Sequence, residues 1–136
     1  MVGDINTWNI CGLKSKRSPF YNEKIDTLSS LLENVNSTNI LNIQETHIAK
    51  NEELPSVISL YKHLYNFEIT NATDTDTYSG IILCIRKTER LISSEILEAG
   101  RLMLATIQNE ASKVITNIFS IYCKSSDSEK QKNADL

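Results

Sequence analysis

Two hydrophobic rhythms alternate along the chain, and the points where they switch divide it into elements. Ile5, Trp8 and Ile10 mark a short apolar-rich stretch that predicts a strand over residues 4–10. Ile25, Leu28, Leu32 and Val35 then recur at steps of three and four, with Leu31 beside them. That is one face of a helix of about four turns. Ser18 and Pro19 supply its start, a serine cap followed by a proline in the first turn, where its missing N–H does no harm. Asn36-Ser37-Thr38 ends the helix, and residues 39–44 return as a strand. A β-α-β unit of this kind has a right-handed crossover and parallel strands. The residues that close the two strands, Asn9 and Glu45, are therefore expected on the same side of one sheet.

Further along, the rhythm weakens and then turns to β. Leu54, Val57, Tyr61 and Leu64 keep helical steps and predict a helix over residues 52–64, with Pro55 tolerable only in its first turn. Phe67 and Ile69 suggest a short strand, and residues 71–77 form a polar loop rich in Thr and Asp. Four β-like stretches follow, at about 81–86, 91–97, 101–108 and 114–122. Gly100 and the Asn109-Glu110-Ala111-Ser112 segment read as turns between antiparallel strands. The simplest arrangement is one sheet, built on the parallel pair and continued by these antiparallel strands. From Lys124 onward the sequence is polar and charged.

Composition narrows the possibilities without naming a function. A chain of 136 residues with 40% hydrophobic content can bury one core and is too short for two ordinary domains. The net charge is −3 and the pI about 5.4, so affinity for nucleic acid does not come from bulk charge. A local field at a cleft is not excluded by that total. Cys11, Cys84 and Cys123 are an odd number at wide spacing and match no zinc or redox pattern, which points to reduced thiols and an intracellular protein. No apolar run approaches the roughly 20 residues of a membrane span, and no secretory signal is visible. No membrane or obligate protein partner is expected.

The chemistry concentrates at the two strand ends. An apolar strand running straight into Gln44-Glu45-Thr46-His47 delivers a fixed carboxylate to the rim of a sheet. Asn9 ends the neighbouring strand just before Cys11-Gly12-Leu13. An amide beside a carboxylate makes a hard, oxygen-rich pocket suited to Mg²⁺, which takes one or two carboxylates and fills its shell with water and phosphate oxygens. Against this stand plainer readings: Glu45 as an exposed acid after a strand, Asn9 as a turn residue. Lys14, Lys16 and Arg17 follow the first strand and suit contact with a phosphate backbone, or simply a solvated loop. The Thr73-Asp74-Thr75-Asp76 segment lacks the glycine and distal glutamate of a calcium loop and reads as a solvated loop. His63 reads as a surface residue.

Taken in order, Trp8-Asn9-Ile10-Cys11-Gly12-Leu13, Gln44-Glu45-Thr46-His47, Ser79-Gly80-Ile81-Ile82-Leu83, Gly100-Arg101-Leu102 and Thr116-Asn117-Ile118-Phe119 form a pattern. It resembles the endonuclease/exonuclease/phosphatase superfamily, and within it the endonuclease domains of non-LTR retrotransposons. The resemblance runs from about Met1 to Phe119 and covers the first half of that family's domain. It implies an α/β, DNase I-like fold of the α+β sandwich family, present as an incomplete half of a four-layer sandwich. Residues 1–122 would be the N-terminal part of the domain and 123–136 a polar tail. The second sheet of the complete fold would then be largely missing and apolar faces left uncovered.

The resemblance also assigns roles. Glu45 and Asn9 become the catalytic and metal-binding residues, the cofactor Mg²⁺ or Mn²⁺, the partner DNA, and the site of action intracellular, with the nucleus fitting the family. His47 is expected to orient the Glu45 loop rather than act as the base, because the family's catalytic histidine comes from its C-terminal end. Phe119 stands near the site where the family carries a tyrosine, and a phenyl ring has no hydroxyl to donate. Strand parity puts Tyr122 on the face opposite Phe119. The later segments that bear the base and the transition-state donors are not in these 136 residues. Three functions follow as expectations: the N-terminal part of a Mg²⁺-dependent DNA endonuclease, inactive alone; part of a same-fold phosphatase for small phosphoesters; or a non-enzymatic remnant.

Overall fold

The computed structural model describes residues 5–13, 20–34 and 39–123. The first strand, β1 (Ile5–Asn9), leads to helix α1 (Tyr21–Glu33) and then to β2 (Ile40–Gln44). The two strands are parallel, with Asn9 opposite Gln44. The expected β-α-β unit is therefore present. The Ser18-Pro19 start, Val35 and the 36–38 stop lie outside the described residues. Leu28 and Leu32 are the fully buried stripe of α1, with Ile25 and Leu31 half-buried beside them, as the spacing predicts.

The second predicted helix is much shorter than its periodicity suggested. Only α2 (Ser56–Leu60) is helical, and residues 61–64 are turns leading into β3 (Tyr65–Thr70). Pro55 stays extended (φ −57°, ψ 141°) and so blocks an earlier start. The Tyr61 N–H bonds back to Val57 O at 3.3 Å, and Leu64 N bonds to Tyr61 O at 3.0 Å. Tight turns thus bury the same residues, Val57 and Tyr61, that a longer helix would have buried.

β4 (Ile81–Arg86) completes the first sheet, whose order is β1-β2-β4-β3. β4 is antiparallel to both its neighbours. The remaining strands, β5 (Glu89–Glu98), β6 (Leu102–Asn109) and β7 (Ile115–Ile121), form a separate antiparallel sheet. This corrects the expectation of one continuous sheet. The reason lies in β4, whose two edges are already occupied by β2 and β3, so the 87–88 turn must deliver β5 to another layer. A second sheet is present, in three strands.

Two cores result. Leu41, Ile43, Ile82 and Cys84 face the helices, where they meet Leu28, Leu32, Val57 and Tyr61. Ile40, Leu83 and Ile85 face the other way, against Met103, Ala105, Ile107 and Ile118 of the second sheet. All six residues of β4 are buried because it is covered on both faces. The outer face of the second sheet is not: Ile115, Phe119 and Ile121 are more than half exposed. An uncovered apolar face was expected for want of the second sheet; here the second sheet is present and the uncovered face is its own outer one. No helix among the described residues is long and apolar enough to cross a membrane.

Candidate functional site

The ends of β1 and β2 meet where the sequence placed its chemistry. Beyond the strands the backbones stay zipped together: Ile10 N bonds to Gln44 O at 3.0 Å, Gly12 N to Glu45 O at 2.8 Å and Leu13 N to Thr46 O at 2.8 Å. This pairing carries Asn9 and Glu45 side by side, and the Asn9 amide Nδ2 donates to Glu45 Oε2. The amide's other end is also in use. Asn9 Oδ1 accepts from the Cys11 N–H at 3.1 Å and from its thiol at 3.3 Å. Asn9 is thereby fixed as a donor toward the carboxylate.

Three non-glycine residues here have left-handed backbones: Cys11 (φ 52°), Glu45 (φ 56°) and His47 (φ 60°). Such conformations cost about 1–3 kcal/mol each and cluster at functional sites. Two glycines make the loops possible. Gly12 (φ 98°) lies under the His47 ring, and a Cβ there would come within 2.8 Å of Nδ1. Gly80 (φ 112°) lies against the Thr46 hydroxyl, with no room for a Cβ. The landmark glycines are thus spaced by the close packing of the loops around Glu45.

His47 borders the carboxylate. Its Nε2 is 3.7 Å from Glu45 Oε1, its backbone N–H bonds to Ser79 O at 3.0 Å, and its ring meets Tyr78 edge-on at 5.1 Å. These contacts fit an orienting residue. His63 is exposed beyond α2, beside the start of β3. Tyr65 pairs with Arg86, at the sheet end opposite the Ile81–Gln44 pair. His63 is therefore far from Glu45. Lys14, Lys16 and Arg17 lie outside the described residues.

The strand β7 brings in a residue that the alignment of landmarks passed over. Phe119 is 58% exposed and points away from the site on the uncovered outer face of the second sheet. Ile118 and Ser120 point inward, and Tyr122, on the same parity, is buried. The Ile121 carbonyl accepts from Gln44 Nε2 at 2.5 Å, which ties the end of β7 to the residue before Glu45. Burial raises the Tyr122 hydroxyl above its ordinary pKa, and the charges of Glu45 and Asp76 push the same way against that of Arg101. The parity of the strand was the available signal.

Other contributors carried weaker signals. Lys24 on α1 donates to the carbonyls of Cys11 and Gly12, at 3.0 and 3.1 Å, and so holds the loop after β1. The Thr73–Asp76 segment is not simply a solvated loop. Asp76 is buried and accepts from Arg101 Nε at 3.1 Å. All three cysteines are unpaired; Cys11 and Cys123 are exposed, and burial of Cys84 pushes its thiol pKa up.

Among the described residues no group of three or more His, Cys, Asp or Glu is placed to hold a metal. What the geometry offers is one partly exposed carboxylate, with one oxygen held by an amide and the other turned toward a histidine. That donor set suits a hard cation that keeps most of its water, and not a closed structural cage.

No protein-family model matches the sequence, and no curated protein matches it. Solved structures do match. The 3'-5' exonuclease NExo from Neisseria meningitidis superposes with a TM-score of 0.60 at 20% identity, over 96% of this chain and 47% of that one. The AP endonuclease LMAP from Leishmania major gives a TM-score of 0.63 at 18% identity, over 93% of this chain and 42% of that one. The catalytic domain of APE2 from Xenopus laevis gives 0.57 at 18%, over 95% and 48%. The chain spans less than half the length of the structures it matches. Its fold is, in part, the DNase I-like fold of these structures.

Proposed function

We propose that this chain is the N-terminal part of a Mg²⁺-dependent phosphodiesterase that acts on DNA, of the retrotransposon endonuclease type. The observation that carries the reading is the hydrogen bond from Asn9 to Glu45 across two parallel strand ends. The ordered landmarks around it favour the retrotransposon type. The matched structures include an AP endonuclease and NExo, which is described both as a 3'-5' exonuclease and, bound to product DNA hairpin, as a 3' phosphatase; this supports DNA as the substrate class.

In this reading Glu45 holds the metal, with Mn²⁺ an alternative to Mg²⁺. Bound there, the ion would supply charge stabilisation at a phosphate oxygen. Asn9 fixes the carboxylate through Oε2 and is itself fixed through Oδ1 by Cys11. His47 borders the free side of the carboxylate, and the Tyr122 hydroxyl supplies the donor that Phe119 lacks. Neither histidine serves as the general base: His47 is turned to Glu45 and Gly12, and His63 lies at the far end of the sheet. A positioned base typically contributes ~10²–10⁴-fold in rate. The 136 residues by themselves are therefore expected not to cleave DNA.

Two measurements test this. Titration of Mg²⁺ or Mn²⁺ into the purified chain, followed by calorimetry, should show weak binding that Glu45→Gln abolishes. Equal affinity in both proteins would overturn the metal assignment. Supercoiled plasmid incubated with the chain and Mg²⁺ should stay intact. Nicking that vanishes in Glu45→Ala would overturn the expected inactivity, and release of phosphate from a small phosphoester instead would favour a same-fold phosphatase.

A further inference from the structure

We propose that Asp76 and Arg101 form a positioning clamp that seats Tyr122 and His47 near Glu45. The proposal deepens the site described above and rests on its reading of Tyr122 and Glu45 as working residues. Two chains of bonds run from Asp76 into the site. In one, Asp76 Oδ2 accepts from Arg101 Nε at 3.1 Å, and the Arg101 carbonyl accepts the Tyr122 N–H at 2.7 Å. In the other, the Asp76 carbonyl accepts from the Ser79 hydroxyl at 2.7 Å and from its N–H at 3.2 Å. The Ser79 carbonyl then accepts the His47 N–H at 3.0 Å. One buried carboxylate-bearing residue thus connects the loop before β4, the turn before β6 and the end of β7.

The chemistry suits a clamp better than a ligand site. Asp76 closes its own turn, with its N–H bonded to Thr73 Oγ1 at 3.1 Å, so its carboxylate is held in place before it meets arginine. Arg101 is drawn to a second acid, with Nη1 3.6 Å from Glu98. A guanidinium shared between two carboxylates is already neutralised and is poorly placed to attract a phosphate on its own. The Asp76 end of the side-chain bond is shielded from water, its side chain 9% exposed, while that of Arg101 is 35% exposed. Breaking such a pair leaves a buried charge without its partner, so the loop and the turn should separate together.

The test reads the accessibility of individual tyrosine hydroxyls in the full chain, without metal or DNA, by N-acetylimidazole labelling and peptide mass spectrometry. Three tyrosines calibrate one another: Tyr78 is 60% exposed, Tyr122 8% and Tyr65 1%. In the wild-type chain Tyr78 should label and the other two should not. Arg101→Met should bring Tyr122 labelling up to that of Tyr78 while Tyr65 stays protected. Arg101→Lys, which keeps an ion pair with Asp76, should restore protection, and Asp76→Asn should expose Tyr122 as Arg101→Met does. Tyr122 remaining protected in Arg101→Met and Asp76→Asn would overturn the clamp. Tyr65 and Tyr122 becoming labelled together would overturn it too, by showing a pair that merely supports the fold. Because nothing is bound in this assay, failure of the metal assignment would leave its outcome unchanged.

Discussion

The first sheet is built from strands of five or six residues and the second from strands of seven to ten, and the two live in different surroundings. The first is covered on both faces, by helices on one side and by the second sheet on the other. The second sheet is covered on one face only, and its outer face carries Ile115, Phe119 and Ile121 in the open. The first sheet carries Asn9 and Glu45 at its strand ends, and the second contributes Tyr122 from just beyond its last strand. A strand end can hold a strained, left-handed acid such as Glu45 only if the strand behind it does not give. Rigidity and the proposed site thus belong to the doubly covered layer, and the half-covered layer borders it.

The comparison breaks first at the shared core. Leu83 is fully buried between the sheets, among Ile40, Ile85, Met103, Ala105, Ile107 and Ile118. Leu83→Ala removes this packing and leaves a cavity, so it should cost about 2–5 kcal/mol. Urea denaturation followed by circular dichroism checks it. A loss below about 1 kcal/mol would mean that the sheets are not packed as described.

A smaller effect is expected at the polar link between the layers. Ser120 Oγ donates to Asn42 Oδ1 at 2.5 Å, and both residues are buried. Ser120→Ala leaves the Asn42 oxygen short of a partner, which costs about 1–3 kcal/mol. Ser120→Ala combined with Asn42→Val should recover part of that loss, because removing both polar groups removes the unmet demand. No recovery in the double variant would show that the bond is not what joins the sheets at this point.

Legibility in the sequence followed the same division. The parallel unit, Asn9 and Glu45 were readable because a local pattern sets them: an apolar stretch, a helical stripe, a second apolar stretch, each ending in a polar residue. The strands of the second sheet were readable one by one. Their separation into another layer was not, because it depends on β2 and β3 having filled both edges of β4, a fact about non-local pairing. Asp76 looked solvated because Asp and Thr dominate its surroundings, and its burial depends on Arg101, 25 residues on. The 52–64 periodicity was real but served turns as well as a helix. Tyr122 was legible in principle, since alternation along β7 sets it opposite Phe119. The left-handed backbone at Glu45 had no signal, since nothing in a glutamate marks a positive φ.

The smallest effect on stability, and the sharpest test of the open face, is expected at Phe119. Its ring is 58% exposed and lies opposite Leu104 on β6, so truncation removes one cross-strand contact. Such a pair is worth about 0.2–1 kcal/mol, well below the loss expected at Leu83. Phe119→Ser should therefore unfold within about 1 kcal/mol of the wild-type chain. Its effect on association should be larger. An apolar stripe next to the β7 edge, which pairs with no other strand among the described residues, favours contact between copies. Removing the ring from its centre should shift the concentration at which the chain self-associates upward, as read by sedimentation velocity across a dilution series. A stability loss as large as that of Leu83→Ala would mean that Phe119 is covered, and that the second sheet is as enclosed as the first.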